Sequence, residues 1–314
     1  MTTYHLDDSE FQALKGKTII ITGAASGIGR AANTAPTSPS PTGTKQQAKR
    51  FKQNSTSCVV HNPLLLHHPS LTQRTSPEHI LFHRTDVSSW PSVLSLFDAA
   101  AAAFPGPPDA VLSNAGVNTE DFAATIDATD PSTGALLPPD LSTLNVNLVG
   151  QIYVVKAALH YFGKPDGEGR GRKRRQIVMT GSAASFVDCP PLHLYCASKT
   201  GVLGLLRGLR SQVEARGVSV NMVAPWMTET PMLLREFYDV WDGLPRNSPE
   251  GPARALLLPV VRPEVNGKSF YVAGNEIVEV EDKTHEAQPI WLGERLSRDV
   301  DEGQRRLIPL APPL

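Results

Sequence analysis

The run Lys17-Thr-Ile-Ile-Ile-Thr22 is apolar and β-branched, and it leads directly into Gly23, Gly27 and Gly29 and then Arg30-Ala-Ala32. A continuous run of this kind suits a strand buried on both faces of a parallel sheet. A strand that passes through spaced glycines into a helix start leaves few architectures open. The small residues let the backbone approach a pyrophosphate, and the helix start turns unpaired N–H groups towards it. The helix is then cut short, because Pro36, Pro39 and Pro41 fall where it would continue. Residues 34–44 therefore read as a Pro-rich insertion after the glycine-rich loop.

Downstream, strands alternate with helices. Lys45–Gln53 reads as a short polar helix, Ser57–His61 as a strand, 63–78 as a second irregular insertion, and His79–His83 as a third strand. Ser88 can cap a helix reaching Phe104, in which Val93, Leu96, Phe97 and Ala100 share one face. Further strands are expected at Asp109–Asn114, Gln176–Thr180, Val218–Val223 and Ser269–Ala273, with helices over about 142–162 and 194–216. This alternation predicts an α/β fold: a Rossmann-like doubly wound parallel sheet in a single domain over 1–314. Within 226–256, Leu233, Phe237 and Trp241 at i, i+4 spacing suggest one helix face. That face is either a lid over a bulky apolar substrate or a core or subunit contact. Residues 281–314 form a C-terminal extension.

Composition excludes several function classes. Lys+Arg is 30 against Asp+Glu 31 in 314 residues, so no charge imbalance points to nucleic acid or an anionic membrane. The basic run Arg170–Arg175 has no interleaved aromatics and reads as a solvated loop. No stretch reaches the roughly 20 apolar residues of a membrane span, and the N-terminus lacks a signal-peptide pattern. Cys58, Cys189 and Cys196 have neither disulfide nor zinc spacing, and His61, His67 and His68 show no metal-ligand spacing, so no metal is expected. A cytoplasmic protein is the simplest expectation.

Tyr195-Cys-Ala-Ser-Lys199 carries the sharpest chemical signal. On a helix, i and i+4 lie on one face, so the phenol and the ammonium are neighbours. A nearby cation favours phenolate and lowers a tyrosine pKa from its usual value of about 10, which suits acid/base work near neutral pH. Ser182 sits just past the end of the Gln176–Thr180 strand, at the sheet edge where open α/β folds gather their active groups. Its hydroxyl could hold a substrate oxygen against Tyr195. Cys196, by helical geometry, is expected to point away and pack.

Together these residues resemble the short-chain dehydrogenase/reductase family, over roughly residues 15–280. The matching motifs are Thr22-Gly-Ala-Ala-Ser-Gly-Ile-Gly29, Asp86, Asn114-Ala-Gly116, Asn147, Ser182, Tyr195-x-x-x-Lys199 and Pro225…Thr230. The resemblance implies a catalytic set of Tyr195 as general acid/base, Ser182, Lys199 and Asn147, the last supporting a proton relay. It implies cofactor contacts from Thr22, Gly23, Ser26, Gly27, Ile28, Gly29, Asp86, Asn114, Gly116, Tyr195, Lys199 and Thr230. The implied activity is NAD(P)-dependent interconversion of a secondary alcohol and a ketone by a homo-oligomer, a dimer or tetramer. The tail around Val265–Asn275 and Trp291-Leu-Gly293 resembles fungal secondary-metabolite members, which implies a small apolar or polycyclic substrate. Alternatives are redox-neutral dehydratase or epimerase chemistry on the same fold, and a catalytically impaired binding or scaffold protein, motivated by the 34–44 insertion.

Two further departures from the family pattern bear on specificity. Val59-Val-His-Asn62 offers no carboxylate for a ribose 2′-OH, which tilts the expectation towards NADP(H), with His61, Lys45, Lys49 and Arg50 as possible phosphate partners. Trp226 stands after Pro225 where the family usually has glycine, and its indole would narrow the pocket or stack on a flat substrate.

Overall fold

A computed structural model describes residues 2–34, 57–61, 80–119, 121–165, 174–233 and 236–310, with backbone alone for 57–61 and 236–237. The insertions at 35–44 and 63–78, the helix expected over Lys45–Gln53, and Asn62, His67 and His68 lie outside these residues.

Among the described residues, one sheet takes nine strands: β1 (Thr2–Tyr4), β2 (Ile19–Thr22), β3 (Ser57–His61), β4 (Ile80–Arg84), β5 (Ala110–Ser113), β6 (Arg175–Thr180), β7 (Val218–Pro225), β8 (Ser269–Ala273) and β9 (Glu276–Glu279). Their spatial order is β1-β9-β8-β7-β6-β5-β2-β3-β4. The central five, β8-β7-β6-β5-β2, are mutually parallel, as their continuous apolar runs require.

The helices are α1 (Gly27–Asn33), α2 (Trp90–Ala103), α3 (Ser142–Leu144), α4 (Gly150–Phe162), α5 (His193–Leu209), α6 (Glu236–Val240), α7 (Glu250–Val261), α8 (Glu281–Glu286), α9 (Gln288–Leu292) and α10 (Glu294–Leu307). A wide π-type turn, Asn145–Val149, joins α3 to α4. Because strand side chains alternate between faces, Ile20 and Val111 pack with α2, α4 and α5 on one side. Ile19, Ile21 and Leu112 pack with α1 and α7 on the other. Val93, Leu96, Phe97 and Ala100 of α2 are all buried, as the periodicity predicts.

Several expectations need correction. β3 runs antiparallel to both β2 and β4, so the outer part of the sheet is not parallel. An antiparallel neighbour needs no crossover helix of the usual length, and α1 ends at Asn33. His61 consequently pairs with Ile19, and Cys58 with Thr22. The far end of β3 therefore lies away from the glycine turn, which removes His61 from the expected phosphate site. The helix expected to reach Arg216 stops at Leu209, with a separate turn at Glu214–Arg216. The first helix of the Ser88–Phe104 segment starts at Trp90, after Ser89, with Pro91 in its first turn. Leu233, Phe237 and Trp241 do not share a helix face, because α6 spans only Glu236–Val240.

Arg175 is not in a solvated loop. It is buried at the start of β6, donating to the Pro107 and Pro108 carbonyls and pairing with Asp109 at 3.7 Å. Residues 170–173 lie outside the described set, and the neighbouring Arg174 pairs with Glu214 at 3.0 Å.

β1 and β9 extend the sheet beyond the strands expected from the sequence. A two-residue turn at Gly274 and Asn275, both at positive φ, folds β9 back on β8, and β1 then pairs with β9. α8 follows, and its buried Glu281 accepts from Arg207 at 3.0 Å and Arg210 at 2.9 Å, both at the end of α5. The extension is thereby tied to the helix that carries Tyr195 and Lys199. Glu281→Ala leaves two half-exposed guanidinium groups that water can reach, so the expected loss is about 1–2 kcal/mol, below that for a fully buried pair. The midpoint of urea unfolding checks it, and an unchanged midpoint would remove this tie from the account.

Candidate active site

Thr22 staples the end of β2 to the end of β5. Its hydroxyl oxygen accepts the backbone N–H of Asn114 at 2.9 Å and of Ala115 at 3.0 Å. Asn114 Nδ2 donates to the Thr22 carbonyl at 3.2 Å. Gly29 fits against this staple, since a Cβ there would lie 2.4 Å from the Gly23 carbonyl oxygen and 2.6 Å from Asn114 Nδ2. Gly23 itself sits at φ +70°, a conformation glycine adopts without a side-chain clash. A Cβ on Gly27 would meet the Thr230 methyl at 3.1 Å, so the glycine turn and the segment after β7 touch. Ser26 is exposed ahead of α1, its carbonyl accepting the Arg30 N–H at 3.1 Å, and Ile28 packs towards the layer of α7.

β6 ends at Thr180, where two helices converge. Its carbonyl accepts from Lys199 Nζ of α5 and from Gln151 Nε2 of α4, each at 2.9 Å. Its hydroxyl donates to Asn114 Oδ1 at 3.3 Å, which links this point to the Thr22 staple. Beyond Gly181, the Ser182 hydroxyl accepts the Ala184 N–H at 3.2 Å and opens a short turn, Ala183–Ser185. Ser185 Oγ then donates to the Lys199 carbonyl at 2.8 Å, fixing that turn to α5. Ser182 hydrogen-bonds the half-buried Tyr195.

Asn147 lies in the π-type turn, fully buried. Its Oδ1 accepts the Val117 N–H at 2.8 Å, and its Nδ2 donates to the Val117 carbonyl at 2.9 Å and Ser198 Oγ at 3.2 Å. Ser198 in turn donates to the Tyr195 carbonyl at 2.7 Å. These bonds cross the fold, so Asn147 joins the strand-β5 loop to α5 instead of bonding locally. A Cβ on Gly116 would come within 3.2 Å of Asn147 Oδ1 and 3.5 Å of Lys199 Nζ. Glycine there keeps both polar groups open to an incoming ligand, and a buried cation beside hydroxyl and amide groups suits a hydroxyl-rich dinucleotide. The residues present fit such a group.

Asp86 takes the capping role. It is exposed, and its Oδ1 accepts from the Ser88 N–H at 2.9 Å and the Ser88 hydroxyl at 2.6 Å in the turn before α2.

Electrostatics departs from the sequence expectation. Burial pushes the Tyr195 hydroxyl above its ordinary value, with the Ser182 hydrogen bond pulling the other way. Burial also brings Lys199 down from 10.5 to about 8. Lys199 Nζ lies 5.5 Å from the Tyr195 ring centroid and spends its short hydrogen bond on Thr180. Desolvation is thus the largest influence on Tyr195 and favours its neutral phenol form.

Gln151 and Asn247 join the site without a motif to mark them in the sequence. Gln151 is the one polar residue in Gly150–Val155 that is fully buried, one turn beyond Asn147, and that i, i+4 relation was the available signal. Asn247 bonds Thr228 Oγ1 at 3.3 Å and the Val272 carbonyl at 2.8 Å through Nδ2, closing the neck of the segment that follows β7. Within that segment the Trp241 and Trp226 rings meet edge to face, centroids 5.9 Å apart.

By architecture this is a Rossmann-type α/β protein with its polar groups gathered at the strand ends. The family model for short chain dehydrogenases matches residues 45–239, and the chain belongs to that family. It is 28% identical over 319 residues to a short-chain dehydrogenase/reductase (prx4) of Penicillium roqueforti, covering 94% of this chain and 86% of the relative. It is 32% identical over 226 residues to an NADP-dependent dehydrogenase (clz5) of Cochliobolus lunatus, covering 70% and 73% of the two chains. A 5′-hydroxyaverantin dehydrogenase of Dothistroma septosporum is 29% identical over 233 residues, with 71% of each chain covered. The fold is shared with a crystal structure of a short chain dehydrogenase from Burkholderia cenocepacia in complex with NADP (TM-score 0.56, 21% identity, 83% of this chain and 98% of that one). The chain is accordingly an NAD(P)-dependent oxidoreductase of the CH–OH/C=O class. No helix among the described residues is long and apolar enough to cross a membrane.

Two outcomes test this geometry. Thr22→Val keeps the shape but strands two backbone N–H groups, so unfolding free energy should fall by about 1–3 kcal/mol; a loss within 0.3 kcal/mol would refute the staple. For Lys199, a depressed folded pKa means that the unfolded chain binds the proton more tightly between pH 8 and 10.5. Wild-type stability should therefore rise relative to Lys199→Met as pH climbs through that window. A pH-independent difference between the two proteins would contradict the buried ammonium.

Proposed function

We propose that the chain interconverts a ketone and a secondary alcohol, with Tyr195 exchanging the proton at the reacting oxygen. The observation that carries this reading is the convergence of Ser182, Tyr195 and Lys199 at the ends of β6 and α5. Ser182 orients the substrate oxygen through its hydroxyl, and Tyr195 gives or takes the proton. Lys199 stabilises the phenolate that forms and binds ribose hydroxyls, while Asn147 holds the Val117 loop and, through Ser198, the first turns of α5. A nicotinamide dinucleotide, when bound, supplies or accepts the hydride. Thr22, Gly23, Ser26, Gly27, Ile28, Gly29, Asp86, Asn114, Gly116 and Thr230 would hold it, together with Tyr195 and Lys199. A neutral Tyr195 beside a charged Lys199 favours the proton-donating, ketone-reducing direction at neutral pH.

NADP(H) is the preferred form in this reading. β4 is parallel to β2 and ends at Arg84, opposite Ser57, which puts a guanidinium-bearing residue at that corner of the edge, two residues before Asp86. The substrate is apolar and flat, in keeping with the Trp226–Trp241 pair and exposed Met232 and Leu244 along 226–256, which acts as its lid. Secondary metabolism is the setting suggested by the fungal relatives. The enzyme would work as a cytoplasmic dimer or tetramer.

Separate titrations with NADPH and NADH, followed by nicotinamide fluorescence, test the cofactor. NADPH should bind at micromolar levels and more tightly than NADH, and Arg84→Ala should erase that difference. Tyr195→Phe should cut turnover at least about a hundredfold with cofactor affinity nearly intact. Substantial residual turnover alongside weakened cofactor binding would overturn the proton-transfer role.

A further inference from the structure

The proposed mechanism makes no use of Cys189 or Cys196, yet the fold brings the two together. Both stand as thiols, half-buried. Cys196 Sγ lies 3.7 Å from the Cys189 carbonyl oxygen, which sets its sulfur against the Cys189 backbone. The connecting segment is compact: the Leu192 N–H donates to the Cys189 carbonyl at 2.9 Å and the His193 N–H to the Pro191 carbonyl at 3.0 Å. Cys196 follows Tyr195 directly in the first turns of α5.

We propose that Cys189 and Cys196 form a dithiol modification site that closes to an intrachain disulfide on reaction with a small-molecule disulfide, and that closure suppresses turnover. One cysteine, as thiolate, attacks oxidised glutathione, forming a mixed disulfide and expelling one glutathione thiolate. The second cysteine attacks the protein sulfur of that mixed disulfide and expels the other glutathione. Two electrons pass from the cysteine pair to the glutathione disulfide, and the two protons end on two glutathione thiols. Closure requires the two sulfurs to meet at about 2.05 Å. The strain falls on the 189–192 segment and the first turn of α5, and so on Tyr195. Displacement of a reacting group by about 1 Å costs on the order of a hundredfold in rate. Burial holds the Cys189 thiol above the ordinary range, so the exchange runs faster in mildly alkaline buffer.

The effect on turnover rests on the role given to Tyr195 above, whereas disulfide formation is read separately. Cleavage with trypsin places both cysteines on one peptide, Gln176–Lys199. The full-length protein, treated with oxidised glutathione at mildly alkaline pH and alkylated, should yield that peptide two hydrogens lighter and unalkylated. Turnover should drop about 10- to 100-fold and return with dithiothreitol. The double variant Cys189→Ser/Cys196→Ser should keep turnover under oxidation, whereas each single variant should stop at a glutathione adduct on its remaining cysteine. Both cysteines remaining open to alkylation, or each carrying its own glutathione, would overturn the site. A formed disulfide with unchanged turnover would overturn its coupling to Tyr195. If the untreated protein neither binds nor uses a nicotinamide, the proposed function fails while the peptide mass still decides the dithiol site.

Discussion

The site depends on one carbonyl. Thr180 ends β6, and its oxygen takes a proton-donating contact from the ammonium of α5 and another from the amide of α4. Both donors are buried, so each would carry an unmet desolvation cost without this acceptor. The Thr180 hydroxyl reaches Asn114, and Asn114 reaches Thr22. A single strand end therefore fixes Lys199, Gln151 and the glycine turn in one frame. Ser182 follows two residues later and inherits its position from the same anchor.

Much of this frame was legible in the sequence, because its determinants are local. The β-branched runs mark β2, β5, β6 and β7 through burial on both faces, and the 3.6-residue spacing marks α2. Tyr195 and Lys199 are legible because i, i+4 spacing survives in any helix. The remainder depends on partners far apart in the chain. Glu276–Glu279 is only four residues long, and it becomes β9 because Gly274 and Asn275 reverse the chain and β8 offers an edge. Arg175 looks like the end of a basic loop until Asp109 and the Pro107 and Pro108 carbonyls close over it. Spacing puts Trp241 on a helix face, whereas in the fold its ring meets Trp226. The direction of the Tyr195 shift was also missed, since desolvation is a tertiary quantity with no signature in spacing.

The reversal of β3 reshapes the question of nucleotide choice. In a parallel arrangement the end of that strand would present its last side chain at the cofactor edge. Here Cys58 stands opposite Thr22 and His61 opposite Ile19, so the edge receives the start of β3 and the end of β4 instead. Arg84 and Asp86 flank that corner with opposite charge, and Asp86 is engaged by Ser88. Arg84 is the residue on which the proposed NADP(H) preference rests, while the neighbouring carboxylate is satisfied within its own turn.

Burial acts on Lys199 and Tyr195 in opposite chemical senses and towards one mechanistic end. It makes the ammonium easier to neutralise, at about 8, and the phenol harder to ionise. A carboxylate partner would have locked the lysine as a permanent ion pair. The Thr180 carbonyl satisfies one N–H of the ammonium while leaving its charge uncancelled. The same low-dielectric surroundings that penalise phenolate at rest strengthen the attraction between that charge and any negative charge growing on the Tyr195 oxygen. In the proposed reaction the cation would act most when the proton leaves Tyr195, which is the difference between ground-state and transition-state stabilisation that a proton-transferring residue requires.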